Sequence, residues 1–60
     1  MTEDERVERY VELCLRLLHL DPSDPDAVRL NDECAVLWMQ MSDEARGHAM
    51  GRILVGMSGE

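Results

Sequence analysis

Two prolines three residues apart, Pro22 and Pro25, punctuate a chain of 60 residues that otherwise holds no proline at all. A proline cannot sit in a helix interior, and the residue before it is pushed towards extended backbone. Asp21-Pro22-Ser23-Asp24-Pro25 is therefore a fixed break, and it is too short to join anything but neighbours in space. Asp24 before Pro25 has the form of an N-cap followed by proline at the first helical position. The segments on either side must each be read as separate elements.

Upstream, Thr2 with Glu5 three residues later forms a capping box, and Glu3 and Asp4 suit the positive end of a helix dipole. Val7, Tyr10, Val11, Cys14, Leu17 and Leu18 then recur at helical spacing. Glu5 with Arg9 and Glu12 with Arg16 stand as i,i+4 pairs. The pattern predicts a helix over about 3–20 and a second over about 25–41, folded back on the first as an antiparallel hairpin that brings Trp38 near Val7 and Tyr10. Ser42-Asp43-Glu44-Ala45 is a further start signal, which favours a bend into a third short helix over about 43–55, the alternative being one long continuous helix. Gly56 reads as a C-cap and residues 57–60 as a frayed tail. The fold class is all-α, a single small helical domain spanning 1–60.

The apolar faces are wide for so short a chain. Helix 2 carries Ala27, Leu30, Cys34, Leu37, Trp38 and Met41 on one stripe, with Val28, Ala35 and Met39 on a second beside it. Together they span roughly 200°, about twice what a surface helix needs. Leu13, Leu15 and Leu20 widen helix 1, and Ala45, Ala49, Met50, Ile53, Leu54 and Met57 cover much of helix 3. Cover from a second copy is the simplest solution, which makes the expected assembly a dimeric or larger helical bundle. The expected interaction surface is Trp38, Met39, Val28, Ala35, Leu15, Met50 and Leu54.

The chemistry-bearing residues do not assemble into a motif. The formal charge is −7, with thirteen acids against six basic residues, all arginine. That balance disfavours direct binding to nucleic acid or anionic lipid, whose affinity rests on Lys and Arg. Glu5, Glu8 and Glu12 lie on a polar helix face rather than in a pocket that could separate their pKa values. The stretch from Asp21 to Glu33 fails as a calcium loop, because Pro25 occupies a ligand position, Asp26 stands where glycine is needed, and the twelfth residue is Asp32 rather than a bidentate glutamate. His19, His48, Cys14 and Cys34 lack the short ligand spacing of a structural zinc site, and neither cysteine has a histidine neighbour for nucleophilic work. Both cysteines fall on apolar faces as small core hydrophobes, with free thiols set about one turn out of register across the hairpin. Gly47 and Gly51 form a GxxxG that permits close helix approach or simply weakens the helix.

These readings predict no enzyme, no cofactor and no metal. The N-terminal residues carry neither a basic nor an apolar signal region, and no segment is long enough to span a bilayer, so the expected location is cytoplasmic. The expected function is a non-catalytic protein–protein interaction or regulatory module, acting as a homo-oligomer. An alternative is an acidic inhibitor that imitates nucleic acid against a DNA- or RNA-binding protein. It would use Glu3, Asp4, Glu5, Glu8, Glu12, Asp24, Asp26, Asp32, Glu33, Asp43 and Glu44. A metal- or thiol-dependent activity is a distant third. In size and architecture alone the chain resembles small dimeric helical-hairpin regulators, a likeness that carries no function.

Overall fold

A computed structural model describes residues 1–58. Gly59 and Glu60, the end of the expected tail, lie outside the described residues. Three helices follow in order: α1 over Glu3–Leu17, α2 over Pro25–Gln40 and α3 over Asp43–Ser58, with no strand among the described residues.

Each helix starts where the capping chemistry is complete. At α1 the Glu5 N–H donates to Thr2 Oγ1 at 3.2 Å and the Thr2 N–H donates to Glu5 Oε1 at 3.0 Å, a reciprocal capping box. Occupied in this way, Glu5 does not pair with Arg9. That arginine turns instead to Glu12 at 3.5 Å and, across to α2, to Glu33 at 2.7 Å. At α2 the Asp26 N–H donates to Asp24 Oδ1 at 2.9 Å, with Pro25 just inside the helix. At α3 the Ala45 N–H donates to Ser42 Oγ at 3.2 Å. Helices α2 and α3 are thus separate, and the break between them is Met41, extended at φ −88° and ψ 147°. The Ser42 N–H also donates to Glu3 Oε2 at 3.2 Å, tying the start of α3 to the start of α1.

Two helix ends differ from the sequence expectation. α1 stops at Leu17 rather than near Leu20, because the chain tightens there. The His19 N–H donates to the Arg16 carbonyl at 3.0 Å and the Leu20 N–H to that of Leu17 at 3.2 Å, both three-residue steps. α3 runs on to Ser58, through Gly56, which is not a left-handed cap. A Cβ built on Gly56 would stand 3.1 Å from Leu15 Cδ1, so α3 continues along α1 at a separation that suits glycine. Met57 and Ser58 are accordingly helical and not part of a tail.

α1 packs against both other helices, which touch each other only marginally. Its two apolar flanks feed two clusters. Val7 and Val11 meet Met41, Ala45, Ala49 and Ile53, while Leu13 meets Cys34 and Leu37. Tyr10 and Cys14 border both clusters. Much of the surplus apolar width of α1 is therefore covered within the chain. Leu13, which lies off its main stripe, is fully buried at 0% exposure. The other helices are not covered to the same degree. No helix among the described residues is long and apolar enough to cross a membrane.

Candidate interaction surface

The apolar residues left uncovered form the most distinctive feature of the surface. On α2, Val28 (56%), Val36 (54%) and Met39 (79%) are exposed, and Ala35 lies between them in the open. At 100° per residue Val28, Ala35 and Met39 share one stripe, with Val36 at its flank. The opposite side of the helix turns Ala27, Cys34 and Leu37 into the protein. On α3, Ala45, Ala49 and Ile53 face inward, which leaves Met50, Leu54 and Met57 on a second exposed stripe and Val55 on a third line. Of the residues expected to form an interaction surface, Val28, Ala35, Met39, Met50 and Leu54 are exposed.

Trp38 and Leu15 sit differently. Leu15 is half-buried against the α1–α3 cluster and beside Gly56. Trp38 is half-buried too, its ring 5.4 Å from that of Tyr10, tilted by 36°. Arg46 closes the other approach: its guanidinium carbon lies 5.3 Å from the Trp38 ring centre and its Nε donates to the Trp38 carbonyl at 2.9 Å. Sequence periodicity marked Trp38 as the large anchor but gave no sign of Arg46, which sits eight residues on and across a bend. Val36 and Val55 were also missed as exposed residues, and Met57, though placed on the apolar face of helix 3, was left out of the expected surface. Val36 and Val55 lie off the stripes used to define the faces, while Met57 stands on the α3 stripe just past the point where the helix was expected to stop.

The grooves between the helices are open. One, along α1 and α3, is lined by Val11, Leu15, Gly47, Gly51, Val55 and Gly56 among others, and a Cβ added at Gly47 or Gly51 would meet nothing within 4 Å. The GxxxG therefore does not serve close helix contact within the chain; the glycine that does is Gly56. A second groove is lined by Glu3, Asp4, Glu8 and Glu44 with His48 and Arg52, and Arg52 reaches Glu8 at 3.7 Å. Acidic and basic groups share that depression, which moderates its field.

Ionisable groups are shifted by local causes. Hydrogen bonds from Thr2 hold the Glu5 carboxyl below its ordinary value, and those from Ser23 do the same for Asp21. Burial pushes the Tyr10 phenol up to about 12, with the nearby Cys14 adding to it. Burial likewise pushes the Cys34 thiol up to about 12, with the nearby Cys14 adding to it. Among the described residues, no group of three or more His, Cys, Asp or Glu is placed to hold a metal ion. Cys14 and Cys34 are not out of register as the hairpin geometry predicted. Their sulfurs lie 4.0 Å apart, because α1 and α2 meet with Tyr10 beside Trp38 and Cys14 beside Cys34.

No protein-family model matches the chain, and no curated protein or solved structure is significantly similar to it.

Proposed function

We propose that this protein is a non-catalytic interaction module that associates with a second copy of itself through the exposed apolar stripes of α2 and α3, the antiparallel α1–α2 pair serving as its frame. The observation that carries the reading is the combination of Met39, Val28, Leu54 and Val55, each more than half exposed, on helices whose other faces are packed. Scattered apolar residues on a surface need no explanation, but stripes at helical spacing on two helices do. The size of the molecule points the same way. Its accessible surface is 4404 Å², against about 4000 Å² expected for a compact monomer of this mass. Its radius of gyration is 11.4 Å, against about 10.4 Å. Association would cover the excess, and it would stabilise a chain whose own core is thin.

Sedimentation velocity across the micromolar range tests this directly. The expected result is a reversible monomer–dimer equilibrium that Met39→Asp and Leu54→Asp each weaken by at least about tenfold while leaving the helical circular dichroism intact. A monomer at every concentration, with a melting temperature that does not depend on concentration, would remove the proposal.

A second reading has one observation in its favour, the grouping of Glu3, Asp4, Glu8 and Glu44 around a single groove at the start of α1 and α3. Carboxylates so placed could imitate phosphates towards a basic partner. Binding of that kind would collapse between low and physiological salt, whereas apolar self-association would not weaken. The salt dependence of whatever complex forms separates the two.

A further inference from the structure

Cys14 and Cys34 are the only two cysteines in the chain, and the fold sets them side by side from two different helices. Their sulfurs are 4.0 Å apart, and both are free thiols. A disulfide needs about 2.05 Å. Closing the remaining two ångströms is of the order of one cysteine changing its side-chain rotamer. The setting also gives the two thiols different roles. Cys14 is partly exposed, whereas Cys34 is 6% exposed and lies at the floor of an open groove lined by Tyr10, Asn31, Ala35, Trp38 and Met39. Among the described residues, no group of three or more His, Cys, Asp or Glu claims either sulfur as a metal ligand.

We propose that Cys14 and Cys34 form a reversible dithiol–disulfide modification site, closed by exchange with a low-molecular-weight disulfide, that ties α1 to α2. This rests on the sulfur geometry and is independent of the interaction reading above. In the first step the Cys14 thiol loses its proton and its sulfur attacks one sulfur of the small disulfide. A mixed disulfide forms, and the other half leaves as a thiolate that takes up the proton. In the second step Cys34 sulfur attacks the Cys14 sulfur of that mixed disulfide, and the second half leaves in the same way. Two protein thiols are oxidised and one small disulfide is reduced to two thiols, so electrons and protons balance.

The electrostatics favour this order. Burial is the main reason the Cys34 thiol resists ionisation, and the adjacent Cys14 adds to it. Arg9 favours the Cys34 thiolate and Glu33 opposes it. The partly exposed Cys14 therefore reacts first, and the buried Cys34 is needed as nucleophile only once the mixed disulfide stands beside it. The bond would close a loop across residues twenty apart in sequence, spanning the Asp21–Pro25 turn. Such a loop restricts the unfolded chain far more than the folded one.

The test uses the reduced full-length protein in a glutathione redox buffer, with oxidised glutathione as the probe. Intact mass and non-reducing electrophoresis should show a single-chain species that has lost two hydrogens, and peptide mapping should join Cys14 to Cys34. The equilibrium constant for closure should be at least about tenfold larger in native buffer than in strong denaturant, because the native packing supplies the proximity. Cys14→Ser and Cys34→Ser should each stop at one glutathione adduct or remain reduced. Interchain cross-links, stable glutathione adducts on the wild-type chain, unreacted thiols, or a constant no larger than in denaturant would each overturn the assignment. The wild-type measurements stand by themselves if either serine variant fails to fold.

Discussion

Arg46 and Trp38 clasp each other across the bend between α2 and α3. The guanidinium carbon stands 5.3 Å from the ring centre while Nε donates to the Trp38 carbonyl at 2.9 Å. The same arginine reaches Asp43 at 3.2 Å, so one side chain serves the last turn of α2, the ring beneath it and the first turn of α3. That carbonyl, in the last turn of α2, also accepts from the Met41 N–H at 3.3 Å, so Arg46 is its second donor. Arg46→Ala should cost about 1–2 kcal/mol, from a charge-assisted hydrogen bond and a cation–π contact together. Arg46→Lys should recover only part of it, since an ammonium cannot cover the ring and reach the carbonyl in the same planar way. Urea unfolding of the two variants checks both, and equal stability of lysine and arginine would show that charge alone matters.

Trp38→Ala is the harsher change. The ring is half-buried between Tyr10 and Arg46 and borders the α1–α3 cluster. Its removal should cost about 3 kcal/mol, a large share of what a domain this small possesses. Loss of cooperative unfolding by circular dichroism is the expected readout. A mutant that melts like the wild type would mean that the ring contributes nothing to the fold.

Alkaline pH should destabilise the reduced protein. Cys34 is pushed up from 9.0 to about 12 and Tyr10 from 10.0 to about 12, in both cases chiefly by burial. The folded state therefore holds both protons more tightly than the unfolded chain does. The stability this contributes is fully present below the unfolded values and is lost as pH rises from about 9 towards 12. Melting temperatures measured in reductant should fall across that window. The fall should be shallower in Cys34→Ala, and an identical slope would remove the thiol as a cause.

Moderate salt should stabilise the fold. The chain carries a net charge of −7, and the ion pairs that oppose the repulsion are mostly exposed, such as Arg29 with Asp26 at 3.6 Å and Arg16 with Glu12 at 3.9 Å. Exposed pairs contribute little, while repulsion among the unpaired acids acts over a longer range and is screened by salt. The melting temperature is expected to rise by a few degrees up to about 0.15 M salt. A steady fall would mean that Arg9–Glu33 and its neighbours outweigh the repulsion.

The elements were legible where a start signal is chemically explicit. Thr2 with Glu5, Asp24 with Pro25, and Ser42 each begin a helix, and side-chain oxygens cap all three. The ends were less legible, since α1 is stopped by tightened backbone bonds that no residue advertises and α3 is prolonged by its contact with Leu15. The face assignments failed in one instructive way. A helical wheel treats Leu13 as the edge of a stripe, but a helix placed between two others has two inward flanks, and Leu13 serves the second. For the same reason the cysteine register was misjudged, because sequence counts turns and says nothing of how α1 is shared between its neighbours. Exposed Met39 and Leu54 were readable from the wheel, as they lie opposite inward stripes that the structure retains.

The three glycines of α3 give the sharpest test of the packing. Glycine in a helix interior costs close to 1 kcal/mol relative to alanine, so an unhindered replacement should stabilise. At Gly47 and Gly51 an added Cβ meets nothing within 4 Å, and Gly47→Ala and Gly51→Ala should each raise stability by about 0.5–1 kcal/mol. At Gly56 the same atom would stand 3.1 Å from Leu15 Cδ1 and 3.2 Å from Cδ2, closer than ordinary contact. Leu15 would have to give way by a few tenths of an ångström, and that strain should cancel most of the helix-propensity gain. Gly56→Ala is therefore expected near neutral, and Gly56→Ala combined with Leu15→Val should recover part of the lost gain by relieving the contact. If Gly56→Ala stabilises as much as Gly51→Ala, α3 does not lie against α1 at Leu15. If Gly51→Ala destabilises instead, the groove beside it is occupied by something the isolated chain lacks, and a second copy seated there would show itself as a loss of association in the same variant.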